Sequence, residues 1–180
     1  MVRLWDLRAE LRTLDIPTES ESAVTSLWTD PCGREVVCGF QDGAVRVWDL
    51  RTAGRPRTRH AGAAVLLAAP SRGELVTATS EGAVCVWEPR AGGPPAASWS
   101  CVAPLAAATL HPRAGLLACG LTNQSIHMYD LRGGSLNTIR FHEGFMGARI
   151  GPVSCLAFHP LRSALAVGTR DSSVSVYVAR

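Results

Sequence analysis

A short segment returns along this chain at nearly constant spacing, and that periodicity constrains the fold more than any other feature. VRLWD (2–6) recurs as VRVWD (45–49), VCVWE (84–88), IHMYD (126–130) and VSVYV (174–178). The marking aromatics are Trp5, Trp48, Trp87, Tyr129 and Tyr177, separated by 43, 39, 42 and 48 residues. A period of roughly 40 to 45 residues is one supersecondary unit that cannot bury its apolar face alone and must stack on its neighbours. The chain of 180 residues is therefore an array of such units.

Each marked segment alternates apolar and polar residues, as a strand does when successive side chains point to opposite faces. Turn signals precede it: Gln41-Asp42-Gly43 before the second copy and Ser80-Glu81-Gly82 before the third. Here Gly43 and Gly82 supply the left-handed backbone of a tight hairpin. Thr122-Asn123-Gln124 and Arg170-Asp171-Ser172 are poorer versions of the same turn. Apolar runs before each turn (36–40, 75–79, 116–120, 165–169) and earlier still (24–28, 64–68, 105–110, 153–158) predict two more strands per unit. A fourth, outermost strand needs fewer apolar residues. Segments 11–16 and 136–141 suit it well, 96–101 fairly and 55–60 poorly. His111-Pro112 and His159-Pro160 follow first strands and read as turn landmarks.

These residues resemble the WD-repeat family, with Trp-Asp ending the third strand, Asp-Gly in the preceding turn, a hydroxyl in the second strand and a histidine upstream. The resemblance implies an all-β propeller. About four and a half four-stranded blades of an incomplete, seven-bladed ring are expected. Residues 1–22 form the last two strands of a broken blade, 23–60, 61–101 and 102–141 form whole blades, and 142–180 form a final blade lacking its outer strand. Family members often link the Trp, hydroxyl, Asp and His by hydrogen bonds. Here the third copy comes closest, with His60, Thr77 and Trp87, while Cys38, Cys119 or Val167 take the hydroxyl position elsewhere. Apolar packing is expected to replace most of that polar network. Unclosed strand edges predict that the isolated chain self-associates.

A narrower similarity runs to the C-terminal propellers of TOR complex 1 scaffold subunits. Its most specific part is GFMGARIGPVSCLAFHP (144–160), an insert that generic WD repeats lack, and LDIPTESESAVTSL (14–27) and CGFQDGAVRVWDLR (38–51) match in order. The similarity is weakest over 52–69 and 91–104. It implies a non-enzymatic scaffold with protein partners, TOR kinase complex components among them. Nutrient-responsive signalling, promotion of growth, restraint of autophagy, and a cytoplasmic location with recruitment to the lysosomal surface are also implied. The other reading is a WD-repeat adaptor of a ubiquitin ligase or a chromatin complex.

Composition trims the remaining classes. A net charge of +3, with every basic residue an arginine, is too dispersed for nucleic acid. Segment 51–60 is the most basic, and reads as a solvated loop rather than as a contact for an acidic partner. No run of 18 apolar residues suggests a membrane span. The six cysteines, Cys32, Cys38, Cys85, Cys101, Cys119 and Cys155, include no C-x-x-C pair, so no metal site is expected; most sit inside apolar runs such as 36–40, 116–120 and 153–158, and those read as buried, reduced thiols. No catalytic motif, cofactor fingerprint or small-molecule site is evident. Two large apolar residues of the insert, Phe145 and Met146, are candidates either for an exposed protein anchor flanked by Arg149 or for a plug between blades.

Overall fold

The computed structural model describes residues 1–18, 21–30, 32–52, 55–71, 73–88, 93–140 and 149–178. Among the described residues every regular element is a strand. The sheets are antiparallel and follow chain order. Blade 1 holds β1 (Val2–Asp6) and β2 (Leu11–Ile16). Blade 2 runs β3 (Val24–Thr29), β4 (Glu35–Phe40), β5 (Ala44–Asp49), β6 (Arg57–His60). Blade 3 runs β7 (Val65–Ser71), β8 (Glu74–Thr79), β9 (Ala83–Trp87), β10 (Ala97–Ser100). Blade 4 runs β11 (Leu105–Leu110), β12 (Leu116–Leu121), β13 (Ile126–Asp130), β14 (Ser135–Ile139). Blade 5 holds β15 (Val153–Phe158), β16 (Ala164–Thr169) and β17 (Val174–Val178). First strands of successive blades touch, β3 on β7, β7 on β11 and β11 on β15. The sheets therefore stack around a common axis, a run of WD-type propeller blades in an unclosed ring.

In the poorest outer-strand candidate, the arginine-rich segment at 55–60, Arg57–His60 does form a strand. Its backbone pairs with β5 from Ala44 opposite His60 to Val47 opposite Arg57. An outer strand needs the ladder far more than it needs an apolar face, which is why periodicity saw it dimly. All four first strands carry a register shift at the same place: Val24/Ser26, Val65/Leu67, Leu105/Ala107 and Val153/Cys155. Such a bulge twists the strand locally. Small residues of the second strand sit beside it, and the next blade closes onto them.

Strand alternation divides the core into one cluster per junction. Val36, Cys38, Phe40 and Trp48 meet Ile16 of blade 1, while Val37, Val45 and Val47 meet Val65, Leu75 and Trp87 of blade 3. Val76, Val84 and Val86 meet Leu117, Cys119, Leu121 and Tyr129 of blade 4. Ala118 and Ile126 meet Ile150, Val153, Leu165 and Val167, with Tyr177 packed against them. Each repeat aromatic thus looks toward the preceding blade. Trp48, Trp87 and Tyr129 are buried there, whereas Trp5, whose blade begins the chain, is 57% exposed. At the other end Val174, Val176 and Val178 stand exposed on the far face of β17. These are stacking surfaces without a stacked blade.

The turns behave as their residues dictate. Gly43 and Gly82 have φ of +85° and +96°. The poorer versions adopt the same conformation without glycine, Gln124 at +64° and Ser172 at +66°, and carry the steric cost of a Cβ in left-handed backbone. Cysteine burial follows the apolar runs at Cys38 and Cys119 and departs from expectation at Cys155. Cys38 and Cys119 are buried, but Cys32 and Cys155 are exposed and Cys85 and Cys101 half-buried. Cys155 lies in an apolar run, yet it belongs to the first strand of the last blade, whose far side no further blade covers.

Candidate protein-contact surface

Antiparallel strands sort the loops onto two sides of the stack. Turns from second to third strand and connectors from one blade to the next fall on one side, here the upper face. Backbone hydrogen bonds tie them together: Ala61 N–H to Gly43 O at 2.8 Å, Cys101 N–H to Gly82 O at 2.9 Å, Thr122 N–H to Pro104 O at 2.9 Å and Arg170 N–H to Pro152 O at 2.8 Å. The connector from blade 4 to blade 5 ends in the described residues Arg149 and Ile150. Ile150 is fully buried in the blade 4–blade 5 core, and its N–H reaches Arg140 O at 3.2 Å. The described ends of this connector, Arg140 and Ile150, are therefore pinned together on the upper face. Arg149, next to that anchor, is exposed. Phe145 and Met146 lie outside the described residues.

The landmark acids hold turns rather than substrates. Asp42 accepts from Ala44 N–H at 2.9 Å. Asp171 accepts from Ser173 Oγ at 2.9 Å, Ser173 N–H at 3.2 Å and the Thr169 hydroxyl. The Thr169 and Ser173 bonds hold its carboxyl below the usual range. An added Cβ on Gly151 would collide with this carboxylate, so the connector passes close over the turn. A repeated device is the Asp that ends three of the five third strands. Asp6, Asp49 and Asp130 accept from the backbone N–H two residues on, Arg8, Arg51 and Arg132, at 2.8, 2.9 and 2.9 Å. This is an Asx turn on the lower face.

The family's polar linkage survives in one place among the described hydrogen bonds. Trp87 Nε1–H donates to Thr77 Oγ1 at 3.0 Å, buried, while His60 is exposed on β6. Elsewhere Cys38 packs with Trp48, its thiol pushed up to about 11 by burial, and Cys119 packs with Tyr129. Val167 packs with Tyr177.

Other candidates also resolve into structure. Arg51 chelates Asp49 at 3.0 and 2.7 Å, and its hydrogen bonds hold the Asp49 carboxyl down at about 2. Arg57 meets Glu35 at 3.0 Å. Much of the basic stretch is thus neutralised within its own blade. His111 Nδ1 accepts from the amides of Arg113 and Ala114 at 3.1 and 3.0 Å, and His159 Nδ1 from Leu161 and Arg162, both at 3.1 Å. These two histidines close equivalent turns. His127 stacks on Tyr129, centroids 6.1 Å apart, and burial lowers its pKa. Among the described residues no three His, Cys, Asp or Glu side chains form a metal-binding group.

What remains chemically available on the upper face is an array of exposed polar side chains on short, tied turns, including Glu81, Thr122, Arg149 and Arg170. Such an array can recognise another protein surface. Sequence spacing could not assemble it, because its members come from different blades and meet only through strand direction.

Comparison with known proteins agrees with this architecture. The WD domain, G-beta repeat model matches residues 10–49 and 135–177. The chain is 33% identical over 183 residues to the protein raptor homolog of Dictyostelium discoideum, covering 98% of this chain and 12% of that protein. It is likewise 33% identical over 187 residues to a target of rapamycin complex 1 subunit of Schizosaccharomyces pombe, covering 98% and 14%. The crystal structure of Chaetomium thermophilum Raptor superposes with a TM-score of 0.88 at 29% identity, over 99% of this chain and 18% of that one. The chain thus spans about an eighth of the length of the curated relatives it matches.

Proposed function

This chain is a WD-repeat segment similar to raptor homologues, and on that premise we propose that it is a non-enzymatic protein-contact module within a scaffold of TOR complex 1. The observation that carries the reading is the similarity along nearly the whole chain to a subunit of that complex, together with the matching fold. Recognition uses the upper face, where the tied turns and the blade connectors converge. Through the complex the module supports nutrient-responsive TOR signalling, promotes growth and restrains autophagy. It works in the cytoplasm and at the lysosomal surface.

The test is face-specific charge reversal in the full-length protein. Glu81→Arg, Arg149→Glu and Arg170→Glu together change exposed upper-face residues; Arg113→Glu, Arg132→Glu and Arg162→Glu change exposed lower-face residues. Surface changes of this kind move stability by only about 0.5 kcal/mol each. The upper-face triple is expected to reduce capture of the TOR kinase at least several-fold, with the lower-face triple near wild type. Equal capture by both triples would refute the assignment of the contact to the upper face.

A further inference from the structure

Two thiols from different parts of the stack meet at the blade 3–blade 4 junction. Cys101 follows β10 and opens the connector into blade 4, where its N–H is bonded to Gly82 O at 2.9 Å. Cys119 is the centre of β12, fully buried. Both belong to one packed cluster with Leu121 and Tyr129, where the two thiols act on each other's ionisation. At the blade 2–blade 3 junction the matching positions are Ala61, bonded in the same way to Gly43 O, and Thr77, the partner of Trp87. A methyl and a hydroxyl in one junction are thus a pair of thiols in the next. Both are free in this structure.

We propose that Cys101 and Cys119 are a redox pair, closed to a disulfide by hydrogen peroxide, which fastens the upper-face connector to the second strand of blade 4. Cys101 is half-buried and so within reach of a small oxidant. Burial holds the Cys119 thiol up. Cys101 is the reachable thiol and Cys119 the fully buried one, so attack falls to Cys101 and resolution to Cys119. The Cys101 thiolate attacks one peroxide oxygen and breaks the O–O bond. The sulfenic acid forms, and the hydroxide that leaves takes up the thiol proton as water. The Cys119 sulfur then attacks the sulfenic sulfur, the S–O bond breaks, and the departing hydroxide leaves with the Cys119 proton as a second water. In sum, two thiols lose two electrons and two protons, and one peroxide is reduced to two waters. Cys32 and Cys155 are exposed, so they are open to oxidation but occupy other parts of the stack.

The test is peroxide treatment of the folded full-length protein near pH 7, followed by alkylation, non-reducing digestion and mass spectrometry. A cross-linked peptide joining Cys101 to Cys119, lighter by two hydrogens than its two parts, is expected to appear while most Cys32 remains alkylatable. In Cys119→Ser the link is lost and dimedone captures a sulfenic acid at Cys101. A denatured sample should instead give scrambled pairs. Full alkylation of Cys101 and Cys119 after Cys32 and Cys155 have been oxidised would overturn the proposal. So would a native sample whose cross-links are as scrambled as the denatured one.

Discussion

Replacing Gly120 with valine is expected to destabilise the chain by about 3 kcal/mol, the upper end of the overpacking range. Gly120 lies on β12, opposite the bulged part of β11, and the next blade closes directly upon it. A Cβ at this position would stand 2.5 Å from Val153 Cγ1, 3.0 Å from Val153 Cβ and 3.3 Å from Leu156 Cδ1. Gly39 repeats the arrangement at the blade 2–blade 3 junction, where an added Cβ would stand 2.5 Å from Val65 Cγ1. These contacts are with branched side chains rooted in a first strand, so the neighbour cannot swing away; the blade itself must move. Gly93 has nothing within 4 Å of such a Cβ, and Gly93→Ala should shift stability by no more than about 0.5 kcal/mol. Urea unfolding midpoints of Gly120→Val, Gly93→Ala and the unsubstituted chain check the contrast. A Gly120→Val chain as stable as Gly93→Ala would mean that the blades are not packed this closely.

The second large effect concerns the repeat aromatics. Trp87→Ala is expected to cost about 3–5 kcal/mol, as for large aromatic truncations in cores. It empties the blade 2–blade 3 cluster and removes the indole that donates to Thr77. Trp87→Phe separates these contributions, because it keeps most of the ring and forfeits the hydrogen bond, worth about 1 kcal/mol. Trp5 occupies the same repeat position but is 57% exposed, so Trp5→Ala in this chain should cost far less than Trp87→Ala. In a longer chain that supplies a preceding blade, Trp5→Ala should become as costly as Trp87→Ala. Thermal unfolding of both variants in both lengths measures the difference. Equal costs in the short chain would contradict the rule that each aromatic packs on the blade before it.

The fold was legible because a propeller blade writes the same strand pattern many times. VRVWD, VCVWE and IHMYD needed only period-two alternation and a common spacing to be recognised as third strands. The outer strand β6 was faint because RTRH contributes a ladder and no apolar face. The bulges in the first strands left no signal at all, since register shift depends on which residues face each other across the ladder. Burial of cysteines failed for Cys155 because an apolar run reveals that a strand is apolar, not that a neighbour covers it. Of the candidate site, Arg149 could be picked out by its place in a family-specific insert. Its company, Glu81 and Arg170, could not be, because residues of different blades share a face only through the direction of antiparallel strands. The pairing of Cys101 with Cys119 was hidden for the same reason.

The proposed role requires the propeller segment to make contacts within a TOR complex. Capture of the TOR kinase from cells by the full-length protein, compared with the same protein lacking this segment, tests that most directly when both are expressed at equal levels and the remaining domains keep their unfolding transitions. Loss of most of the captured kinase on removing the segment is the predicted result. Undiminished capture would contradict it.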